Sequence, residues 1–152
     1  PFTQSLKAYV KTLGPAIERK IHWMGGYRNN DIVGDVFNHI DAIVVPSIWG
    51  ENSPLVIHEA LEAQVPIITA DYGGMKEYVH HEVNGLLFKH RDPIALSTQM
   101  KRLIHDSVLK DKISQGGYLQ SSDKRIPCIR EHTRSVTHLY NQLIEQKECT
   151  HV

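Results

Sequence analysis

Two carboxylates eight residues apart, Glu51 and Glu59, frame the stretch PSIWGENSPLVIHEAL from Pro46 to Leu61. Ser53-Pro54 between them has the chemistry of a helix start, with Ser53 predicted at the N-cap and Pro54 at the first helical position. The amides of Ser53, Leu55 and Val56 would then point out of the helix end, where the macrodipole favours an anion. Glu51 precedes that end and would repel a phosphate, so its chemistry is to accept hydrogen bonds from hydroxyl groups. Glu59 lies five residues past Pro54, about 7–8 Å down the axis at ~1.5 Å per residue. A carboxylate there has two oxygens for the neighbouring hydroxyls of a ribose diol. The pattern fits a nucleotide-sugar, with sugar at Glu51, diphosphate at the amides and ribose at Glu59. The same residues also read as a solvated loop acid and a polar helix stripe of His58, Glu59 and Glu62. Spacing alone favours that plainer reading.

The elements that must position these residues alternate. QSLKAYVKTLG places Leu6, Tyr9, Val10 and Leu13 on one face of a helix closed by Gly14-Pro15. KIHWM reads as a short strand ended by Gly25-Gly26, and DIVGDVFNHI as a helix. AIVVP and PIITA are unbroken apolar runs of the kind parallel strands show when both faces are covered. A DYGG turn leads into a helix around MKEYV, and Asn84-Gly85 turns into the strand LLF. Asp92-Pro93 starts IALSTQMKRLIH, followed by helical SVLKDKIS and a long amphipathic helix from about Ile129 to Gln146. This is an α/β fold, a Rossmann-like parallel sheet with flanking helices, whose ligands bind beyond the carboxyl ends of the strands.

The 152 residues carry 17 basic and 17 acidic side chains, so no overall field draws the chain to nucleic acid or anionic lipid. No apolar run approaches the ~18 residues of a membrane span, and no charged-then-apolar leader opens the chain. Cys128 and Cys149 form no metal-ligand spacing and fit free thiols in a reducing compartment. The first residue is Pro1, which points to a fragment.

The ordered series from Pro46 to Leu87 resembles the donor-binding half of GT-B fold glycosyltransferases, specifically the retaining family 4. Its residues are the Glu-x7-Glu pair Glu51 and Glu59, the step Glu59-Ala60, the strand-opening Pro66, the turn Gly73-Gly74-x-x-Glu77 and Asn84 to Leu87. Upstream, MGGYRNNDIVGDVFNHIDAIVVPS is similar to the family's strand-glycine-helix-Asp-strand run. The resemblance implies that Glu51 is the catalytic residue holding the transferred sugar and that Glu59 binds the ribose. It further implies that the backbone at Asn52, Ser53, Leu55 and Val56 meets sugar and diphosphate, and that the main chain at Gly26 and Tyr27 contacts the base. No metal and no cofactor are implied; the nucleotide-sugar is substrate. The implied reaction is glycosyl transfer with retention, to a saccharide or lipid-linked acceptor. The parent enzyme would be cytoplasmic, with peripheral membrane contact only through its other half.

Relatives open this domain with a Gly-Arg strand, a nearby lysine and a second strand, none of which matches this chain. Residues 1–152 are therefore expected to be a single, N-terminally truncated partial C-terminal domain, catalytically inactive alone, with the acceptor domain of the same protein as its partner. The two absent strands would lie between KIHWM and AIVVP, so the visible strands are expected to leave a gap, repack or pair with another chain. Gln64 and His81-Glu82 stand where relatives have glycine-containing helix ends and turns. His58 and the terminal helix are expected to be structural, Trp23 core, His80-His81 a turn, and Lys101 and Arg102 a solvated face. Trp49 is a candidate for lining the site, and Lys76 and Arg28 are the nearest basic candidates. Rival readings are another GT-B activity, a sugar-nucleotide epimerase or phosphorylase, and a non-catalytic α/β interaction module.

Overall fold

A computed structural model describes residues 2–26, 28 and 31–149. They divide into two compact units, the first ending at Ile32 and the second beginning at Val33. In the first unit, α1 (Phe2–Thr12) is the predicted helix, and Pro15 starts an unforeseen single turn, α2 (Pro15–Glu18). Of the expected apolar face only Val10 is buried. KIHWM forms no strand: a short parallel strand exists only through a ladder to a neighbour, and no strand forms among the described residues of this unit. Trp23, expected in the core, is 43% exposed, with the Lys7 ammonium over its ring at 5.4 Å.

The second unit holds a three-stranded parallel sheet in the order β1 (Ile43–Val45), β2 (Ile67–Ala70), β3 (Leu86–Phe88). Register is set by Ile43 opposite Ile67 and by Ile68 opposite Leu86. All four residues of β2 are buried, as its unbroken apolar sequence requires of a central strand. The crossovers are α4 (Leu55–Glu62) and α5 (Met75–Tyr78). Ile57, Ala60 and Leu61 of α4, Met75 and Val79 around α5, and Ile67, Ile68 and Leu86 of the sheet make the core.

After β3 come α6 (Pro93–His105) and α7 (Ser107–Ser114). The Asp92 carboxylate caps α6 by accepting from the Ile94 and Ala95 amides at 3.0 and 2.9 Å. Asp106 caps α7 in the same way through Leu109. The predicted helix at 31–40 breaks into α3 (Ile32–Asp35) and a 3₁₀ turn (Phe37–His39), because Val36 leaves helical geometry at φ −120°, ψ −64°. β1 is an edge strand, and an apolar hollow of about 550 Å³ lined by Ile40, Val44, Met100, Leu103 and Ile104 opens near it.

α8 (Ile129–Cys149) forms with the predicted span but is exposed at every residue from 129 to 147, including Leu139, Tyr140 and Leu143. It does not pack as structure within this chain, because no described segment covers its apolar stripe. Among the described residues no helix is long and apolar enough to cross a membrane.

Gln64 ends α4 in the left-handed region at φ 56°, with Val65 N–H donating to Ala60 O (2.9 Å) and Gln64 N–H to Leu61 O (3.2 Å). This is the Schellman pattern, in which glycine carries no steric penalty. Gln64→Gly is therefore expected to raise stability by roughly 0.5–1 kcal/mol, measured as a higher urea midpoint at unchanged slope.

Candidate functional site

The loop leaving β1 carries the first glutamate. One oxygen of the Glu51 carboxylate, Oε1, accepts from the Trp49 indole Nε1–H at 2.9 Å and from the Ser47 hydroxyl at 3.3 Å. The loop is pinned from two other strand ends. After β2, Gly74 N–H donates to the Glu51 carbonyl at 2.6 Å. After β3, the His90 imidazole Nε2 bonds the Ile48 carbonyl at 3.0 Å, and its ring stacks on Tyr72 at 4.0 Å and 1°. A Cβ at Gly74 would lie 1.7 Å from the Asn52 carbonyl oxygen, and Gly73 sits at φ 55°. The Gly-Gly turn therefore serves the close passage of two backbones.

The helix start differs from the sequence reading. Pro54, at φ −65° and ψ 113°, is the N-cap residue, and no side chain caps α4. The Ser53 hydroxyl shares a 2.7 Å hydrogen bond with His58 Nε2 instead, and the extended ψ of Pro54 delays the first helical residue to Leu55. The ladder begins with Ile57 N–H to Pro54 O at 3.0 Å, so the amides of Leu55 and Val56 precede it and face the helix end. Sequence reasoning named both. Ser53 and Asn52 lie exposed in the approach, and the stretch 46–64 contains no lysine or arginine.

Glu59 is half-buried one turn further on, in register with exposed Leu55 and Glu62 on the face opposite the core. Its neighbour His58 points elsewhere, into the rings of Tyr78 (centroids 4.4 Å, edge-on) and Tyr118 (5.7 Å). Tyr118 belongs to a strap, residues 116–126, tied down by Asn84 Nδ2–H to Gly117 O (3.0 Å) and by Ile126 N–H to Glu62 Oε2 (3.3 Å). Asn84, 1% exposed, also donates to Tyr78 O and accepts from His80 N–H. Burial pushes the His58 imidazole below its ordinary value, against a smaller upward pull from Glu59.

Other predicted residues fall out as follows. Gly26 is exposed and belongs to the first unit; Tyr27 lies outside the described residues. Arg28 is exposed, and Lys76 lies 3.9 Å from Asp71. Arg102 does not belong to a solvated face: it pairs with Glu82. The Arg102 guanidinium pulls the Glu82 carboxyl below the usual range, and Glu82 itself sits in the left-handed region at φ 60°. His81 is a turn residue, its Nδ1 accepting from Leu87 N–H at 3.0 Å. The clamp residues Tyr72 and His90 were missed by sequence reading, since the contact spans 42 residues.

Residues 3–120 match the family model described as Glycosyl transferases group 1. An uncharacterized glycosyltransferase of Methanocaldococcus jannaschii is 30% identical over 81 residues, which are 53% of this chain and 20% of that protein. The structure of HepE from Anabaena in complex with UDP is similar at a TM-score of 0.76 and 21% identity, over 91% of this chain and 36% of that one. Its complex with UDP-glucose gives 0.67 and 23%, over 75% and 30%. The C-terminal domain of a group 1 family glycosyl transferase (LpcC) from Francisella tularensis gives 0.69 and 24%, over 83% of this chain and 64% of that one. This chain thus spans about a third or less of the full-length proteins it is compared with here.

Two predictions follow from the site's geometry. Gly74→Ala should cost about 1–3 kcal/mol and move the amide resonances of Glu51 and Asn52, seen by urea titration and heteronuclear correlation spectra. For His58 the unfolded chain takes up its proton at higher pH than the folded chain does. Stability is then full above the ordinary histidine value of about 6.5 and falls as pH drops through it toward the lower folded value. Urea titrations at about pH 8 and pH 5 should show a larger loss for the native chain than for His58→Leu.

Proposed function

Because the chain belongs to the group 1 glycosyl transferases, we propose that it is the nucleotide-sugar-binding half of a retaining GT-B enzyme. What supports this reading is the single loop-helix junction beyond β1, where a pinned carboxylate, two first-turn amides and a second carboxylate one turn on occur in sequence. Glu51 Oε2 accepts from hydroxyls of the transferred sugar. The amides of Leu55 and Val56, with the backbone at Asn52 and Ser53, meet the diphosphate, and Glu59 takes the ribose diol. The helix dipole favours the charge that grows on the diphosphate as its bond to the anomeric carbon breaks. The acceptor oxygen forms the new bond to that carbon on the same face, and its proton leaves with the diphosphate. No metal is required by this arrangement, since amides take the place of a cation.

The structures of HepE with UDP and UDP-glucose make uridine the first base to test. The acceptor, a saccharide or a lipid-linked saccharide, is bound by a second domain of the parent enzyme, which works in the cytoplasm and reaches a membrane only peripherally. Positioning of donor against acceptor needs both halves, so the 152 residues alone bind donor and transfer nothing.

The test is a chemical-shift titration of the chain with UDP, GDP and ADP, repeated on Glu59→Ala. One nucleotide should shift Ser53, Leu55 and Val56, and Glu59→Ala should weaken it about tenfold or more, as expected when a charged hydrogen-bond partner is removed. Absence of binding by all three, or binding indifferent to Glu59, sinks the reading and favours an interaction module. Transfer by the isolated chain would overturn its assignment as a half-site.

A further inference from the structure

We propose that Trp49 determines the donor site's preference for a sugar-bearing nucleotide over the bare diphosphate. Its indole orients the Glu51 carboxylate and presents its face to the transferred sugar. The inference rests on the donor-site reading and adds to it a residue and a selectivity.

The indole N–H and the Ser47 hydroxyl both donate to the same oxygen, Oε1 of Glu51. An ionised carboxylate oxygen accepts about two such bonds, so Oε1 is filled by the protein and Oε2 is left for a ligand hydroxyl. The carboxylate enters binding with its plane already chosen. Losing that choice would weaken a bidentate or directional contact to a sugar and leave a diphosphate at the helix end untouched.

Trp49 is 72% exposed, so the ring contributes little to the core. It is nonetheless ordered by its one polar atom and by its neighbours in the chain. Ile48 on one side is held through its carbonyl by His90, and Gly50 on the other lies against Tyr72, where a Cβ would be 3.9 Å from the ring carbon Cε1. Tyr72 and His90 are themselves stacked. A large, apolar, exposed ring that is fixed at both its backbone and its nitrogen has little freedom to lose on binding. The C–H face of a pyranose is the complementary surface for such a ring, gaining dispersion and apolar burial while its hydroxyls reach the adjacent carboxylate.

The experiment titrates the 152-residue chain with three pairs: UDP and UDP-glucose, GDP and GDP-mannose, ADP and ADP-glucose. Native chain is compared with Trp49→Phe, which keeps a ring and removes the N–H, and with Trp49→Ala, which removes both. For the pair that binds, Trp49→Phe should raise the Kd of the sugar form about tenfold and Trp49→Ala about thirtyfold, with the bare diphosphate moving less than about twofold. In a Trp23→Phe background the remaining indole emission should change with the sugar form and not with the diphosphate. Equal effects on both members of the pair, or none, overturn the inference while leaving the donor-site reading intact. If no diphosphate binds at all, both fall together. The exposure of Trp49 means neither variant should alter the far-ultraviolet dichroism of the chain; should one do so, the inference is decided by the emission arm, in which Trp49 is retained.

Discussion

At Gly74 two backbones pass closer together than any side chain would allow, and the loop carrying Glu51 is organised around that passage. The amide of Gly74 reaches the Glu51 carbonyl at 2.6 Å, and the space beside it is already filled by the Asn52 carbonyl. A hydrogen bond this short between loops from neighbouring strands fixes the height of the Glu51 loop above the sheet. The stacked Tyr72 and His90 then fix its lateral position through Ile48. With the main chain held from two sides, the carboxylate needs only Trp49 and Ser47 to choose its plane. The loops after β2 and β3 thus converge on the backbone of the loop that carries Glu51, at the carboxyl edge of the parallel sheet.

The helix behind that loop divides its labour by face. Ile57, Ala60 and Leu61 anchor α4 to the sheet, so the offset of Glu59 from the helix end is fixed by packing. The opposite face carries Leu55, Glu59 and Glu62, the last holding the strap at Ile126. At the start of the helix the stretch 46–64 supplies amides and neither lysine nor arginine, and Pro54 removes one donor from the approach.

Much of this was legible in the sequence because it depends on local or periodic signals. AIVVP and PIITA declare themselves as strands through unbroken apolar runs, Asp92-Pro93 declares a helix start, and Gln64 announces its strained geometry by standing at a helix end that favours glycine. Glu51 and Glu59 drew attention through a spacing that alone favoured a plainer reading, and the ordered series around them is what pointed to the family. What escaped reading depends on partners far along the chain. Ser53 has the chemistry of a cap and spends its hydroxyl on His58. Asn84 looks like half of a tight turn and is a buried hub holding Gly117, 33 residues away. KIHWM has strand composition and forms no strand among the described residues, and Trp23 has core composition and is largely exposed. Each is a residue whose intrinsic preference was overruled, or left unmet, by what surrounds it.

The terminal helix brings a different consequence. From Ile129 to Lys147 every residue of α8 is exposed, so the segment depends more on its own ladder than the core helices do. A ladder of 21 residues in that situation melts from its ends in a broad, weakly cooperative manner. Its amides should exchange with solvent deuterium orders of magnitude faster than those of β2, and heating should reduce dichroism before the core unfolds. For this chain the apparent melting temperature therefore depends on the probe: a core reporter and a helix reporter will describe two different transitions of one molecule.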